Sequence, residues 1–186
     1  MNIFLTGGAG YIGSATAEAL LKAGHSVTVY DSLVTGHRLA VPEGARFIHA
    51  SLEDSHALAE SLTGEKFDAV MHFAAFIEAG ESMKKPARFY QNNLVNSLHL
   101  IQTAMEAGVK RFLLSSTAAV YRSSDEPLTE ESPLGPTNVY GHTKLVIEQT
   151  LDWYREIHGL HIAALRYFNA CGALPATARP TSRSRT

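Results

Sequence analysis

The chain begins with Met1-Asn2-Ile3-Phe4-Leu5-Thr6-Gly7-Gly8-Ala9-Gly10-Tyr11-Ile12-Gly13, a short apolar run followed at once by glycines in the spacing G-x-x-G-x-x-G. Glycines allow a tight turn and let the backbone come close to phosphate groups, where a side chain would collide. A helix that begins near Gly10 would direct its free N–H groups and its positive dipole end at an anion. The stretch therefore predicts a strand, a turn and a helix that bind a dinucleotide pyrophosphate through Gly7, Gly10 and Gly13.

The residues that follow favour this interpretation over an ordinary glycine-rich loop. The next apolar spacing is helical up to Gly24, and residues 26–30 have the character of a second strand. Asp31 ends that strand, 18 residues after Gly13. A carboxylate there suits ribose hydroxyls and repels a 2′-phosphate, so the sequence favours NAD over NADP, with Arg38 as a mild counter-signal.

The composition is that of an ordinary globular protein: 45% of the 186 residues are apolar and 18% are charged. This length suits one core, whereas two full domains would be unusual. The formal charge of −2 implies no basic surface for nucleic acid, and the single cysteine, Cys171, excludes an intrachain disulfide. The nine histidines show no metal-ligand spacing, and His72 is assigned simply to a strand. Without an evident membrane span or signal peptide, we expect a cytoplasmic protein with no metal.

Predicted strands and helices alternate along the chain. The strands cover residues 3–6, 26–31, 46–49, 69–73, 111–115 and 161–166, and the helices cover residues 11–23, 55–62, 88–106 and 140–158. This alternation predicts an α/β fold, a Rossmann-like doubly wound parallel sheet with the strand order 3-2-1-4-5-6. Residues 1–172 would form this one dinucleotide-binding domain, and residues 173–186, with two prolines and three arginines, an unstructured basic tail.

A tyrosine and a lysine lie four residues apart at the start of the last predicted helix. Tyr140 and Lys144 share a face of that helix, so both head groups would reach one cleft. A free phenol has a pKa of about 10. A close ammonium, together with a positive nicotinamide ring, would favour the phenolate and lower that pKa. The pair predicts a general base, although Y-x-x-x-K taken alone fits a surface helix pair equally well.

A cluster of hydroxyl residues ends the predicted fifth strand. Ligands of open parallel sheets bind beyond the carboxyl ends of the strands, so Thr117 is placed to hydrogen-bond a substrate oxygen beside Tyr140. The alternative is that the cluster, which includes Ser115 and Ser116, only caps the strand end.

Five motifs in a fixed order carry a resemblance to a known family. They are Thr6-Gly7-Gly8-Ala9-Gly10-Tyr11-Ile12-Gly13, His72-Phe73-Ala74-Ala75, Ser115-Ser116-Thr117-Ala118-Ala119-Val120-Tyr121, Tyr140-Gly141-His142-Thr143-Lys144 and Arg166-Tyr167-Phe168-Asn169. Over about residues 1–173 the chain resembles the extended short-chain dehydrogenase/reductase family, and most closely its UDP-glucose 4-epimerase branch. The combination is far more specific than any one motif.

The resemblance implies a reaction, the NAD-dependent epimerisation of a UDP-hexose at C4 through a 4-keto sugar. This reaction interconverts UDP-glucose and UDP-galactose in galactose metabolism. By motif position Tyr140 would be the base, Lys144 its electrostatic partner and a ribose ligand, and Thr117 the assisting hydroxyl that also contacts substrate. Asn169 would contact the sugar nucleotide.

The same resemblance implies the residues that bind NAD. By motif position they would be Gly7, Gly10, Tyr11, Ile12, Gly13, Asp31, Ser32, Leu33, Ser51, Leu52, Phe73, Ala74, Ala75, Asn92, Tyr140, Lys144 and Phe168. The chain departs from the family at Ala50-Ser51-Leu52, where Gly-Asp-Ile or Gly-Asp-Leu is usual, and at Ile77, where several epimerases have a lysine. Ser51 would bind the adenine less strongly than a carboxylate.

The epimerases of this family continue well beyond the last motif into a carboxyl-terminal domain that binds uridine and phosphates. The resemblance therefore implies a chain truncated before that substrate domain. Because remote contacts position a substrate for reaction, we expect the 186-residue chain to hold NAD but to epimerise UDP-galactose weakly or not at all. A non-catalytic NAD-binding module is the main alternative. A sugar-nucleotide 4,6-dehydratase fits less well, since Ala118-Ala119 stand where its acid and base would follow the threonine.

Two predicted helices offer apolar residues to a second subunit, as they do in relatives. These residues are Leu94, Leu98 and Ile101 on one helix, and Leu145, Ile147 and Leu151 on the other. We expect a homodimer on this basis. The alternative is that these residues only cover the sheet.

Overall fold

The computed structural model describes residues 1–172, in which six parallel strands form one sheet. The strands are β1 (Asn2–Thr6), β2 (Ser26–Asp31), β3 (Arg46–His49), β4 (Ala69–His72), β5 (Arg111–Ser115) and β6 (His161–Leu165). Their order is β3-β2-β1-β4-β5-β6, which confirms the predicted doubly wound α/β fold. The predicted tail, residues 173–186, lies outside the described residues.

Among the described residues, six α-helices connect and cover the strands. They are α1 (Tyr11–Lys22), α2 (Ser55–Thr63), α3 (Ala79–Lys84), α4 (Pro86–Phe89), α5 (Asn96–Glu106) and α6 (Val139–His158). A π-helical segment, Tyr90–Val95, joins α4 to α5, and 3-10 turns cover Arg38–Ala40 and Ala118–Val120. The sequence did not predict α3, because six residues are too few to show an apolar period.

The predicted continuous helix over residues 88–106 is wrong in its first part. Pro86 starts α4, at a helix position where its missing N–H is tolerated. The chain then widens into the π-helical segment, in which Asn93 forms two hydrogen bonds with the backbone of Phe76. The Asn93 Nδ2 donates to the Phe76 oxygen at 2.9 Å, and the Asn93 Oδ1 accepts from the Phe76 N–H at 2.9 Å. Hydrophobic periodicity cannot predict this contact, because Phe76 lies in a loop that is distant in the sequence.

Alternate residues of the central strands point to opposite faces of the sheet, and both faces are packed. Phe4 belongs to a core formed with α2, α5 and α6, whereas Leu5 belongs to a core formed with α1. Both side chains are fully buried. By contrast, β6 is an edge strand with mostly exposed side chains.

The residues expected to meet a second subunit are mostly part of the core. Ile101, Ile147 and Leu151 are buried in the core that Leu94 packs against, and Leu145 is buried in a separate cluster with Val120. Leu98 is half-buried. The expectation of a dimer face is therefore corrected for the four buried residues, because their side chains pack inside the chain. The exposed apolar side chains of this region are Val95, Trp153 and Ile157.

The carboxyl ends of the parallel strands meet at one edge of the sheet, which brings the sequence motifs together. The glycine turn follows β1, Asp31 ends β2, and Phe73 follows β4. None of the helices within residues 1–172 has the length and the apolar character of a membrane span, and no group of His, Cys, Asp and Glu side chains there suits a metal ion.

Candidate functional site

The glycine turn after β1 packs so closely against the end of β4 that it has no room for side chains. Gly7 has a φ of 74°, in the left-handed region, and a Cβ there would lie 2.4 Å from the Ala74 nitrogen. A Cβ on Gly13 would lie 2.3 Å from the Gly7 carbonyl oxygen. Bare backbone therefore forms this wall of the cleft, as a bound pyrophosphate requires.

The first turn of α1 adds hydrogen-bond donors to the same wall. Gly10 is the N-cap, and no side chain caps it. The Ser14 N–H bonds to the Gly10 oxygen at 3.0 Å, so the N–H groups of Tyr11, Ile12 and Gly13 precede the intrahelical ladder. All three residues line the cleft, where these donors and the helix dipole suit an anion.

Asp31 ends β2 beside the glycine turn, and its buried carboxylate joins two loops. The Oδ2 atom accepts from the Ala9 N–H at 2.9 Å, and the Oδ1 atom accepts from the Leu33 N–H at 2.8 Å. Leu33 has a φ of 58°, unusual for a residue with a side chain. Each carboxylate oxygen retains further acceptor capacity, which fits ribose hydroxyls, while the charge opposes a 2′-phosphate.

These elements surround a cleft of about 610 Å³, a size within the usual range of ligand pockets. The predicted site residues that line it are Gly7, Gly10, Tyr11, Ile12, Gly13, Asp31, Ser32, Ser51, Leu52, Phe73, Ala74, Ala75, Asn92, Thr117, Tyr140, Phe168 and Asn169. Leu33 and Lys144 are predicted site residues that do not line it. Ile77, one of the departures from the family pattern, lies in the lining.

Lys144 lies behind the cleft wall. Its side chain is buried, and its Nζ donates to the Ser115 carbonyl oxygen at 2.8 Å. Burial lowers the pKa of Lys144 to about 8, and the negative charge of Glu148 opposes this shift. An ammonium is thus held directly behind the strand end that carries the hydroxyl cluster.

Three contacts position the first turn of α6, which carries Tyr140. The N-cap Asn138 accepts the Gly141 N–H on its Oδ1 at 2.8 Å. A Cβ on Gly141 would lie 2.4 Å from the Ala119 oxygen, so only glycine allows the helix to pack against the turn after β5. The Tyr140 N–H donates to the Ser82 Oγ of α3 at 3.2 Å.

Tyr140 and Thr117 lie together on the cleft surface. Burial raises the pKa of the Tyr140 phenol above its ordinary value of 10, whereas a hydrogen bond with Thr117 lowers it in part. The sequence led us to expect a pKa lowered by Lys144, but Lys144 is not among the causes of the shift. The protein's own groups therefore keep the phenol protonated at neutral pH.

Thr117 also has a structural contact. Its Oγ1 accepts the Ala119 N–H at 3.1 Å and so caps the 3-10 turn Ala118–Val120. A hydroxyl that accepts one bond still has a proton to donate. Thr117 therefore caps this turn and also contacts Tyr140, whereas the predicted alternative to a substrate contact was a cap at the end of β5.

A buried polar chain beneath the cleft was missed by the sequence analysis. His72 is fully buried opposite Thr6 in the sheet, with its Nδ1 2.7 Å from the Thr6 Oγ1 and its Nε2 2.7 Å from the Ser97 Oγ. Burial, with a smaller effect from Lys144, lowers the pKa of His72 to about 3, so the imidazole is neutral. A histidine inside an apolar strand was the one available signal.

The cleft also contains residues that the sequence left without a role. Ser115 and Tyr167 line it, and their hydroxyls are hydrogen-bonded to each other. Both belong to motifs quoted above, so their neighbours in the sequence were the available signal. Further lining residues lie in loops whose paths depend on tertiary contacts: Val34, Thr35, Glu53, Phe76 and Glu78.

Comparisons with known proteins agree with this geometry. A model of the NAD dependent epimerase/dehydratase family matches residues 3–185. The UDP-glucose 4-epimerase of Lacticaseibacillus casei is 44% identical over 176 residues, which are 94% of this chain and 53% of that protein. The UDP-glucose 4-epimerase of Streptomyces lividans is 40% identical over 171 residues, 91% of this chain and 52% of that protein. The chain thus spans about half the length of the curated relatives it matches.

Solved structures give the same result. A crystal structure of a UDP-glucose 4-epimerase superposes with a TM-score of 0.91 at 45% identity, covering 94% of this chain and 54% of that one. The Bifidobacterium longum UDP-glucose 4-epimerase, in complex with NAD⁺ and UDP, superposes with a TM-score of 0.89 at 33% identity, covering 95% and 56%. By sequence and by fold, this chain belongs to the NAD dependent epimerase/dehydratase family.

Proposed function

We propose that this protein binds NAD in the cleft at the carboxyl edge of the sheet. The bare backbone at Gly7 and Gly13 and the carboxylate of Asp31 suit a dinucleotide. A relative of the same fold, the UDP-glucose 4-epimerase of Brucella ovis, 39% identical, was crystallised in complex with NAD. Ser51 would bind the adenine end and Phe168 the nicotinamide end.

We further propose that the site epimerises a UDP-hexose at C4, interconverting UDP-glucose and UDP-galactose. The observation that carries this proposal is that Tyr140 and Thr117 share one cleft with the glycine turn, while Lys144 lies behind the same strand end. Bound NAD would supply reversible hydride acceptance at C4. The protein itself has to hold the sugar and move the 4-hydroxyl proton.

Proton transfer falls to the tyrosine. Tyr140 would take the 4-hydroxyl proton on its phenolic oxygen and return it once the keto sugar presents its other face. Thr117, which contacts Tyr140, would align the hydroxyl. Because burial raises the pKa of Tyr140, positive charge near the phenol is needed to make it a base at neutral pH, and the ammonium of Lys144 is the buried charge available. Asn169, in the cleft lining, would contact the sugar nucleotide.

We also propose that the protein forms a homodimer through the outer face of α6. Trp153 and Ile157 lie one turn apart on that helix, so they share a face, and both are well exposed. Large exposed apolar side chains grouped in this way are typical of interfaces.

The free and exposed Cys171 suits a reducing compartment, so we place the protein in the cytoplasm.

The test is to purify the 186-residue chain and to measure its NAD content and its turnover of UDP-galactose and UDP-N-acetylglucosamine. A full-length relative serves as the reference. Tyr140→Phe is the matched variant, because it removes only the phenolic oxygen. We expect the wild-type chain to hold NAD and to convert UDP-galactose far more slowly than the reference. Tyr140→Phe should abolish this conversion while the chain still takes up NAD.

The outcomes separate the competing functions. NAD content without wild-type turnover supports the alternative of a non-catalytic NAD-binding module. A chain that takes up no NAD contradicts both the proposed NAD binding and the proposed epimerisation. Turnover at the rate of the reference contradicts the expected impairment and establishes the epimerase activity directly.

A further inference from the structure

A buried carboxylate on α6 lies close behind the proposed site. Glu148 follows Lys144 by one helical turn, is 5% exposed, and is not part of the cleft lining. A charge this deeply buried is stable only when it is paired and hydrogen-bonded. Its partners therefore indicate what it holds in place.

Those partners come from the ends of two strands. Ser116, directly after β5, donates its hydroxyl to the Glu148 carboxylate. Arg166, directly after β6, donates to the same carboxylate from Nε at 3.0 Å and from Nη2 at 2.6 Å. The guanidinium is held in turn by Tyr121, whose hydroxyl accepts from Nη1 at 3.1 Å and whose ring centroid lies 5.1 Å from Cζ.

Each partner adjoins a residue of the site. Ser116 follows Ser115, whose carbonyl oxygen accepts the Lys144 ammonium. Arg166 precedes Tyr167, which lines the cleft and bonds to the Ser115 hydroxyl. Glu148 thus joins the helix that carries Lys144 to both strand ends that border the cleft.

Glu148 also opposes the loss of charge on Lys144. Burial favours the neutral amine, and the Glu148 carboxylate favours the ammonium. The other ionisable groups that interact with this pair are His72 on β4, which is neutral, and Arg166, which also bonds to the Tyr121 phenol. The phenols of residues 140 and 167 line the adjoining cleft. Among these groups, Glu148 alone supplies negative charge at neutral pH.

We propose that Glu148 is a positioning residue for Lys144, which keeps the buried ammonium charged at neutral pH and anchors the strand ends against which it is held. The inference rests on the proposed function, in which Lys144 supplies the positive charge that Tyr140 needs as a base. Without the carboxylate, Lys144 would lose its counter-charge and Arg166 would lose three hydrogen bonds.

Glu148→Gln tests the role of the charge, because glutamine keeps the side-chain length and an acceptor for Ser116. The measurement is an NMR titration of isotope-labelled lysine side chains in the full chain, without cofactor or sugar, with the Lys144 signal assigned from Lys144→Met. We expect the titration midpoint of Lys144 to fall by about one unit or more. Asp152→Asn, which removes an exposed carboxylate from the same helix, should leave the midpoint unchanged.

The direction of the change distinguishes this role from a merely structural one. A variant that only loosened the fold would expose Lys144 and move its midpoint up, towards the ordinary value of 10.5. A fall in Glu148→Gln therefore supports the proposal, and an unchanged or raised midpoint overturns it. If Glu148→Gln does not fold because Arg166 is left unpaired, the double variant Glu148→Gln, Arg166→Met is titrated under the same criterion.

The titration also separates this inference from the proposed function. It needs neither NAD nor sugar, so a chain that binds no NAD would contradict the function while the Glu148 effect is still measured. A chain that binds NAD, with a Lys144 midpoint unaffected by Glu148→Gln, would overturn only the positioning role.

Discussion

The Nζ of Lys144 lies 2.8 Å from the main-chain carbonyl oxygen of Ser115, inside the protein, and this hydrogen bond joins α6 to the end of β5. The bond fixes an ammonium against the strand end from which Thr117 follows. A buried ammonium is costly, so its titration should be visible in the stability of the fold.

Because of Lys144, the free energy of unfolding should increase with pH between about pH 8 and pH 10.5. The pKa of Lys144 is about 8 in the folded chain and 10.5 ordinarily, so in this interval the unfolded chain binds a proton that the folded chain does not. The gain is about 3 kcal/mol at most. Urea unfolding of wild type and Lys144→Met across this interval measures it, and a difference between the two that is constant with pH would contradict it.

Gly7→Ala should abolish NAD binding. The new Cβ would meet the Ala74 backbone at 2.4 Å, so the wall of the cleft has to move. Gly24→Ala is a matched control, because Gly24 has a similar φ of 80° but open space around it. Both variants should lose about 1 kcal/mol or more of stability from backbone strain, and calorimetric titration should show NAD binding in the control alone. Equal affinities of the two variants for NAD would contradict the role proposed for the glycine turn.

Acid should destabilise the fold through His72. Its pKa is about 3 in the folded chain and 6.5 ordinarily, so between these values the unfolded chain binds the extra proton. Stability from this group is complete above pH 6.5 and is lost as the pH falls towards 3, by about 5 kcal/mol at most. His72→Gln should flatten this dependence in denaturant unfolding, whereas His158→Gln, an exposed change, should not. An identical acid dependence in both variants would count against the prediction.

Replacing the exposed apolar side chains of α6 should produce a monomer. Trp153 is the single tryptophan, so its fluorescence reports directly on burial of this face. We expect the wild-type chain to sediment as a dimer and the double variant Trp153→Glu, Ile157→Lys as a monomer. Leu39→Lys, at a residue that is 92% exposed in another part of the fold, is the control and should stay dimeric. A monomeric wild type, or a dimeric double variant, would rule out this face.

Much of the fold follows from local pattern alone. The bounds of β2, β3 and β5 agree with the prediction, because each is a short apolar run ended by a charged, small or polar residue. The glycine turn could be predicted as well, since backbone approach of this kind needs glycine whatever surrounds it. The parallel order then brings Asp31, Thr117 and Tyr140 to one cleft.

The remaining features depend on contacts between residues far apart in the sequence. The pKa of Tyr140 is raised because the phenol is buried, and no spacing of residues reports burial. The pairing of Glu148 with Arg166 joins a helix to a strand end, and each residue alone looks like an ordinary surface charge. Four of the predicted dimer residues are instead buried within the chain, because an apolar period shows that a face is buried but not what covers it.

The π-helical segment Tyr90–Val95 fixes the number of residues in this part of the chain as well as their identity. Deleting one residue there would let α4 run on as a regular helix and would rotate every position of α5 by about 100° about its axis. Ser97 would then turn away from the His72 imidazole, and Leu100 would leave the core. The fold should therefore tolerate no insertion or deletion between Pro86 and Ser97, even though most side chains in α4 and the first half of the π-helical segment face solvent.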